Sequence, residues 1–275
     1  MKTDENPLAR IHEAKRFFEA TLPRAPELTI VLGSGLSGFS KEISDSKIIP
    51  FSEVPGGVAS SVVGHDGRIV YGTIKGKTVM ALAGRIHGFE GHSPHEVAHM
   101  VRSIRSWGCR RFIVTNATGS TSLKFKPGQL VLITDHINFT WRNPLTGTEL
   151  FGGDRFPDVS DLYTKDWRKK VLALAKKLKI NLKEGVYGGV PGPYYETAAE
   201  IKMYRKLGAD ICGMSTVWEV LALAQMKAEV LGISCVTNLC TGVSKQTLNH
   251  EEVLENSKKA QTSFNKLVKA IIEAA

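Results

Sequence analysis

Three short segments late in the 275-residue chain carry polar side chains with no evident local structural duty. They are Gly192-Pro193-Tyr194-Tyr195-Glu196-Thr197, Gly213-Met214-Ser215-Thr216 and Val236-Thr237-Asn238. A carboxylate beside an aromatic ring, a hydroxyl pair on a tight turn and an amide at a strand end together suit a heterocyclic base, a sugar and an oxyanion. The set points towards nucleoside chemistry.

Earlier loops add groups that suit an anion. In Gly84-Arg85-Ile86-His87-Gly88-Phe89-Glu90-Gly91 the alternation of an extended chain puts Arg85 and His87 on one side. The planar guanidinium fork and a histidine that donates once protonated match the oxygens of a phosphate, whereas an arginine alone would be read as half of an ion pair. Gly33-Ser34-Gly35-Leu36-Ser37-Gly38 follows an apolar run and fits the dinucleotide pattern G-x-G-x-x-G. However, Ser40 to Lys47 lacks an apolar helical period, and Glu53 lies among Pro50, Pro55, Gly56 and Gly57 rather than at a strand end. The loop therefore reads either as an anion cradle built on Ser34 and nearby N–H groups or as a tight turn without a ligand, in preference to a nicotinamide site. Thr115-Asn116-Ala117-Thr118-Gly119-Ser120 offers small and hydroxyl side chains for close approach of a phosphate or sugar. His65, in Gly64-His65-Asp66-Gly67, reads on its own as a turn residue. His92, His95 and His99 raise a metal site, but no carboxylate or cysteine completes a ligand spacing there, and no metal is expected.

The elements that must position these groups alternate between the two periods. Leu28 to Leu32 reads as a buried strand, and Arg68 to Lys75 with Thr78 to Ala83 as a hairpin about Gly76-Lys77. Ser93-Pro94-His95-Glu96 is a capping box that opens a helix ending at Gly108. Strands follow at Arg111 to Thr115, Gln129 to Thr134 and Gly185 to Val190, with a helix over Lys165 to Lys179. Thr197 with Glu200 forms a second capping box, and Thr216 with Glu219 a third, opening a helix over Val220 to Val230 that Gly232 stops. Ile233 to Thr237 reads as a strand, and Asn249 with Glu252 caps a last helix reaching Ala274. No repeat or linker interrupts this order, which favours one α/β domain around a central sheet, with ligands beyond the carboxyl ends of its strands.

Bulk composition narrows the class. A chain that is 42% hydrophobic at this length buries a full core. Met1 to Ala20 is too rich in charge for a signal peptide, and no apolar run is long enough to span a bilayer. Cys109, Cys212, Cys235 and Cys240 form no Cys-x-x-Cys pair and read as reduced thiols of a cytoplasmic protein. The net charge of +9 raises a nucleic-acid partner. Its lysines, however, interleave with apolar residues along the Lys165 to Lys179 helix, the pattern of a solvated helix face.

The motifs, taken in order from about Ile30 to the helix after His250, resemble those of the trimeric purine nucleoside phosphorylases. Val31-Leu32-Gly33-Ser34-Gly35-Leu36, the Gly84 to Gly91 segment, Gly192-Pro193 with Glu196-Thr197, Gly208-Ala209-Asp210, Gly213-Met214-Ser215-Thr216 and Thr237-Asn238 carry the likeness. The resemblance implies an α/β fold in a single domain over residues 1–275, with a central mixed, partly barrel-like β-sheet surrounded by helices. It implies phosphate-dependent cleavage of 6-oxopurine nucleosides by a homotrimer, with inorganic phosphate as co-substrate and no cofactor. By carry-over, Ser34, His65, Arg85, His87, Ser215 and the N–H of Ala117 bind phosphate. Phe89, Met214 and His250 contact the ribose, and Phe156, in Asp154-Arg155-Phe156-Pro157, reaches the neighbouring subunit's site. Tyr195, Glu196 and Asn238 take the base, and Asn238, Glu196 and His87 carry the chemistry. The related methylthioadenosine phosphorylases differ in having aspartate at the base-site asparagine and threonine after the methionine, against Asn238 and Ser215 here. Phe89, Thr118, Ser120 and Trp218 depart from the residues usual in the family.

Overall fold

The structure is a computed structural model that describes residues 7–62, 66–147, 155–243 and 250–275, the side chains of 250–254 excepted. Its elements run α1 (Pro7–Thr21), β1 (Leu28–Leu32), β2 (Ser44–Pro50), β3 (Arg68–Ile74), β4 (Lys77–Ala83), α2 (Pro94–Trp107), β5 (Arg111–Ser120), β6 (Leu130–Asn138) and α3 (Lys165–Lys177). They continue with β7 (Leu182–Gly189), α4 (Ala198–Lys206), β8 (Ile211–Gly213), α5 (Val217–Gln225), β9 (Glu229–Leu239) and α6 (His250–Glu273).

Strand β1 is buried at all five positions because it pairs in parallel with β4 on one side and β5 on the other, under helices on both faces. That environment explains its uninterrupted apolar run. Strands β3 and β4 form the expected hairpin, but it turns one residue earlier than expected, on Lys75 (φ 51°) and Gly76 (φ 76°), the two positive φ values that a tight two-residue turn requires, with Lys77 already in β4. The sheet order is β2-β3-β4-β1-β5-β8-β7-β6-β9, and a further β5–β9 pairing closes the last five strands into a barrel. One face of the sheet packs against α1, α2 and α5 through Phe18, Val101, Ile104 and Leu223. The other packs against α3 and α6 through Val171, Phe264, Leu267 and Ile271.

Two capping boxes form as expected: Ser93 accepts from the Glu96 N–H at the start of α2, and Thr197 from the Glu200 N–H at the start of α4. The third does not. Thr216 has φ 73° and caps nothing, α5 ends at Gln225, and Val230 and Gly232 lie inside β9. Hydrogen-bonding demands from β5 and β6, which β9 pairs on both edges, outweigh the helical pattern of that stretch. Likewise β5, β6 and β9 run further than their apolar cores suggest, because their polar ends are paired inside the barrel. Helix α1 carries only a weak helical signal in the sequence. Ile11, Ala14 and Phe18 supply its buried stripe, but charged residues crowd the intervening positions. After the glycine loop the chain makes only a 3₁₀ turn over Ser37–Glu42 before β2, so no helix N-terminus faces that loop as in a dinucleotide site. Asn249 lies outside the described residues.

Candidate active site

The site forms where β5 crosses β8, with Gly119 opposite Cys212, so that strand ends from two opposed sets meet. A cavity of about 380 Å³ opens there, and Ser34, Arg85, His87, Phe89, Ala117, Tyr195, Glu196, Met214, Ser215 and Asn238 all line it. Ten residues spread over 205 positions of sequence thus reach one space. His65 lies outside the described residues, as does the side chain of His250. Phe156 does not line its own chain's cavity and is 89% exposed.

One end of the cavity gathers a hydroxyl, a guanidinium and an imidazole from Ser34, Arg85 and His87. Ser34 sits in the turn closed by the Leu36 N–H donating to the Gly33 carbonyl, with Gly35 at φ 75°. A Cβ on Gly33 would come within 2.6 Å of the Asn116 backbone, so glycine is what lets this loop lie against β5. Arg85 is 5% exposed, donates Nη1 to the Thr115 carbonyl at 2.7 Å and pairs through Nε with Glu219 at 3.2 Å. Glu219 therefore holds the guanidinium in place instead of capping α5. Thr216-x-x-Glu219 has the capping-box spacing, but the Arg85 guanidinium takes the Glu219 carboxylate.

His87 donates or accepts at Nδ1 against Glu90 at 2.9 Å, while Glu90 also takes the His87 N–H at 2.8 Å and the Ser61 N–H and hydroxyl at 2.7 Å. Burial works against the Glu90 charge, yet the Ser61 and His87 donors hold its pKa down to about 2. Burial of His87 outweighs its carboxylate partner and lowers its pKa to about 4. The imidazole is therefore neutral near pH 7, with its Nδ1–H committed to Glu90, and this corrects the expectation that it donates as a cation. Its face carries Phe89, stacked at 4.6 Å and 18°.

Ser215 precedes a strained turn. The Val217 N–H donates to the Ser215 carbonyl across Thr216, whose φ of 73° and ψ of −52° make a γ-turn of the rare positive-φ kind. Such a conformation costs about 1–3 kcal/mol for a branched residue. It is held by Asn116, which donates Nδ2 to the Thr216 hydroxyl at 2.8 Å, and by the Tyr187 hydroxyl, 3.3 Å from the Ser215 N–H. The turn leaves Met214 and Ser215 facing the cavity.

At the other end lie the carboxylate and the amide. Glu196 is 7% exposed, and among the described residues its carboxylate receives only its own backbone N–H. Desolvation raises its pKa. Asn238 pairs with Gly119 just past the bulge at which β9 slips register against β5, with Thr237 as the extra residue. The Thr237 hydroxyl donates to Asn238 Oδ1 at 2.9 Å, and Nδ2 donates one hydrogen to the Leu239 carbonyl at 3.3 Å, so the second amide hydrogen is the donor left for a ligand acceptor. Thr237 is a positioning residue that sequence reading passed over, although it stands beside Asn238 in the motif. Gly119 makes room for both: a Cβ there would lie 2.5 Å from Cys240 Sγ and 3.1 Å from Asn238 Nδ2.

The unusual residues have local partners. Thr118 Oγ1 lies 3.4 Å from the Cys235 carbonyl, and Ser120 donates to the Ser122 carbonyl at 2.7 Å. Trp218 donates Nε1 to Thr140 and to the Arg142 carbonyl, and its ring fills the space that a Cβ on Gly88 would take. His95 and His99 each place a ring nitrogen against a backbone carbonyl, of Thr146 and Pro55 respectively.

A family model described as the phosphorylase superfamily matches residues 27–273. The chain is 43% identical over 264 residues to purine nucleoside phosphorylase 1 of Bacillus subtilis strain 168, covering 96% of this chain and 97% of that protein. The Schistosoma mansoni purine nucleoside phosphorylase in complex with inosine superposes with a TM-score of 0.91 at 32% identity, covering 97% of this chain and 96% of the other. A Schistosoma mansoni purine nucleoside phosphorylase in complex with adenosine gives a TM-score of 0.89 at 32% identity, with 96% of each chain covered.

Proposed function

Since the chain belongs to the phosphorylase superfamily, among its purine nucleoside phosphorylases, we propose that it cleaves 6-oxopurine nucleosides such as inosine and guanosine, and their deoxy forms, with inorganic phosphate. The observation that carries this reading is the single cavity with an arginine, a serine loop and a histidine at one end and a buried, donor-poor carboxylate beside an amide at the other.

In this reading Ser34, Arg85, His87, Ser215 and the Ala117 N–H hold the phosphate, with His65 over it. Met214, Phe89 and His250 bracket the ribose, and Tyr195 packs on the base. Phosphate attacks the anomeric carbon as the bond to the purine breaks, and the electron pair of that bond moves into the purine ring. Asn238 Nδ2 donates to N7 as negative charge grows there, an interaction stronger in the transition state than in the ground state. Glu196 accepts from N1–H of a 6-oxopurine. Adenine offers a lone pair at N1, which leaves a desolvated carboxylate facing an acceptor, a mismatch that rejects ligands by roughly 10⁴ or more. Neutral His87 serves as an acceptor at Nε2 for a protonated phosphate oxygen or a sugar hydroxyl.

Phosphate is the co-substrate and no resident cofactor takes part. The continuous sheet supports one domain over the whole chain, and the four free, buried thiols fit a cytoplasmic enzyme. Among the described residues no helix is long and apolar enough to cross a membrane. A homotrimer, with Phe156 lent to the neighbouring site, gives that exposed ring a place to be buried. Incubation of the protein with inosine should release hypoxanthine only when phosphate is present; equal release without phosphate would refute phosphorolysis.

A further inference from the structure

Two thiols stand at the base end of the cavity with no part in the reaction above. Cys212 lies in β8 and Cys240 follows β9; both are free, and their sulfurs are 3.4 Å apart. The Glu196 carboxylate joins them, with one donor atom from each of the three residues within 4.8 Å of the others. All three are buried, yet all three line the cavity.

We propose that Cys212, Cys240 and Glu196 form a binding site for a thiophilic divalent cation of the zinc type, whose occupation closes the base pocket. Two thiolates and one carboxylate are a donor set that zinc favours over harder cations. Zinc–sulfur bonds of about 2.3 Å at a tetrahedral angle separate the sulfurs by about 3.8 Å. The observed 3.4 Å needs only a small opening. A disulfide would instead require the sulfurs to close to about 2.0 Å. The cavity leaves the fourth position open to water. On binding, two S–H protons leave for solvent as two metal–sulfur bonds form, together with the carboxyl proton where Glu196 holds one. Capture therefore strengthens as pH rises. The Cys240 hydrogen bond, burial and the nearby Glu196 charge all keep Cys212 protonated, and a dication reverses that balance.

Closure of the base pocket rests on the role proposed for Glu196, since a metal-bound carboxylate no longer accepts from N1–H. The metal site itself does not. Chelator-stripped, reduced full-length protein titrated with cadmium should show thiolate-to-cadmium charge-transfer absorption saturating at one ion per chain, displaced by zinc. Cys212→Val and Cys240→Val, each checked for folding by its thermal midpoint, should lose the band, and Glu196→Gln should weaken binding about tenfold or more. A band that persists in both folded valine variants overturns the site. Zinc should raise the KM for inosine about tenfold or more, and the valine variants, each compared with its own metal-free rate, should not respond. Their silence also controls for zinc removed by phosphate. Metal binding with an unmoved KM overturns pocket closure. A metal-free enzyme inert towards inosine overturns the proposed function and leaves the cadmium titration still decisive.

Discussion

Asn238 and Glu196 do opposite things with buried polarity. Asn238 is held at both poles: Thr237 donates to its oxygen, and the Leu239 carbonyl takes one of its two amide hydrogens, leaving the other for a ligand. Asn238→Ala should lower kcat by about 10²-fold with a smaller change in KM, because the lost hydrogen bond matters most in the transition state. Steady-state inosine kinetics check this, and an unchanged kcat would refute the role. Glu196 is the under-satisfied partner, its pKa raised by desolvation. As pH falls its protonated fraction grows, and the acid form donates to N1 of adenine. The ratio of adenosine to inosine turnover should therefore rise from neutral towards mildly acid pH. In Glu196→Gln, whose amide donates at any pH, the ratio should rise about tenfold or more and lose its pH dependence. A ratio flat with pH in both proteins would contradict the assignment. At this scale the motifs were legible, since Ser34, Arg85, Glu196, Ser215 and Asn238 reach one cavity. The protonation state of His87 was not, because burial outweighs its neighbouring carboxylate and burial is invisible in a local pattern.

At the scale of elements the site depends on how strands end. The β5–β9 bulge after Thr118 turns Asn238 inward, and the bare backbone of Gly119 leaves space beneath it. Gly119→Ala pushes a methyl into the Cys240 sulfur and the Asn238 amide, so kcat/KM should fall about tenfold or more, with a stability loss of roughly 1–3 kcal/mol. Inosine kinetics beside a urea unfolding curve would test both, and normal kinetics would show that the amide tolerates displacement. Ser93 and Thr197 were read correctly because a capping box is wholly local. Thr216-x-x-Glu219 misled for the complementary reason: Asn116 and Arg85, each about a hundred residues or more upstream, claim those side chains. The strand ends of β5, β6 and β9 were likewise hidden, because their polar residues acquire partners only when the barrel closes.

For the whole molecule, burial of titratable groups sets the response to acid. Burial lowers His87 and His136 from 6.5 to about 4, and it lowers His95 and His99 in the same direction. Between those pH values the unfolded chain binds protons that the folded chain refuses. For His87 and His136 the resulting stability is fully present above pH 6.5 and declines as pH falls towards 4, by up to about 1.4 kcal/mol per pH unit for each of the two. A thermal or urea midpoint constant across that window would disprove it. Trp141 and Phe156 are 88% and 89% exposed and so are open to contact with another copy of the chain. Sedimentation at assay concentrations should give the mass of three chains, and Phe156→Ala should raise the KM for inosine. A monomer with full activity would refute the shared site.

By itself the sequence determined the α/β class, two of the three helix caps that fall among the described residues, and the polar motifs whose side chains line one cavity, since each rests on contacts a few positions apart or on chemistry carried by side-chain type. Only the tertiary structure decided that Glu219 belongs to Arg85, that Thr216 is strained, that His87 is neutral and that two thiols from separate strands meet Glu196. Each of those depends on desolvation or on an approach between distant strands, and neither exists until the barrel closes.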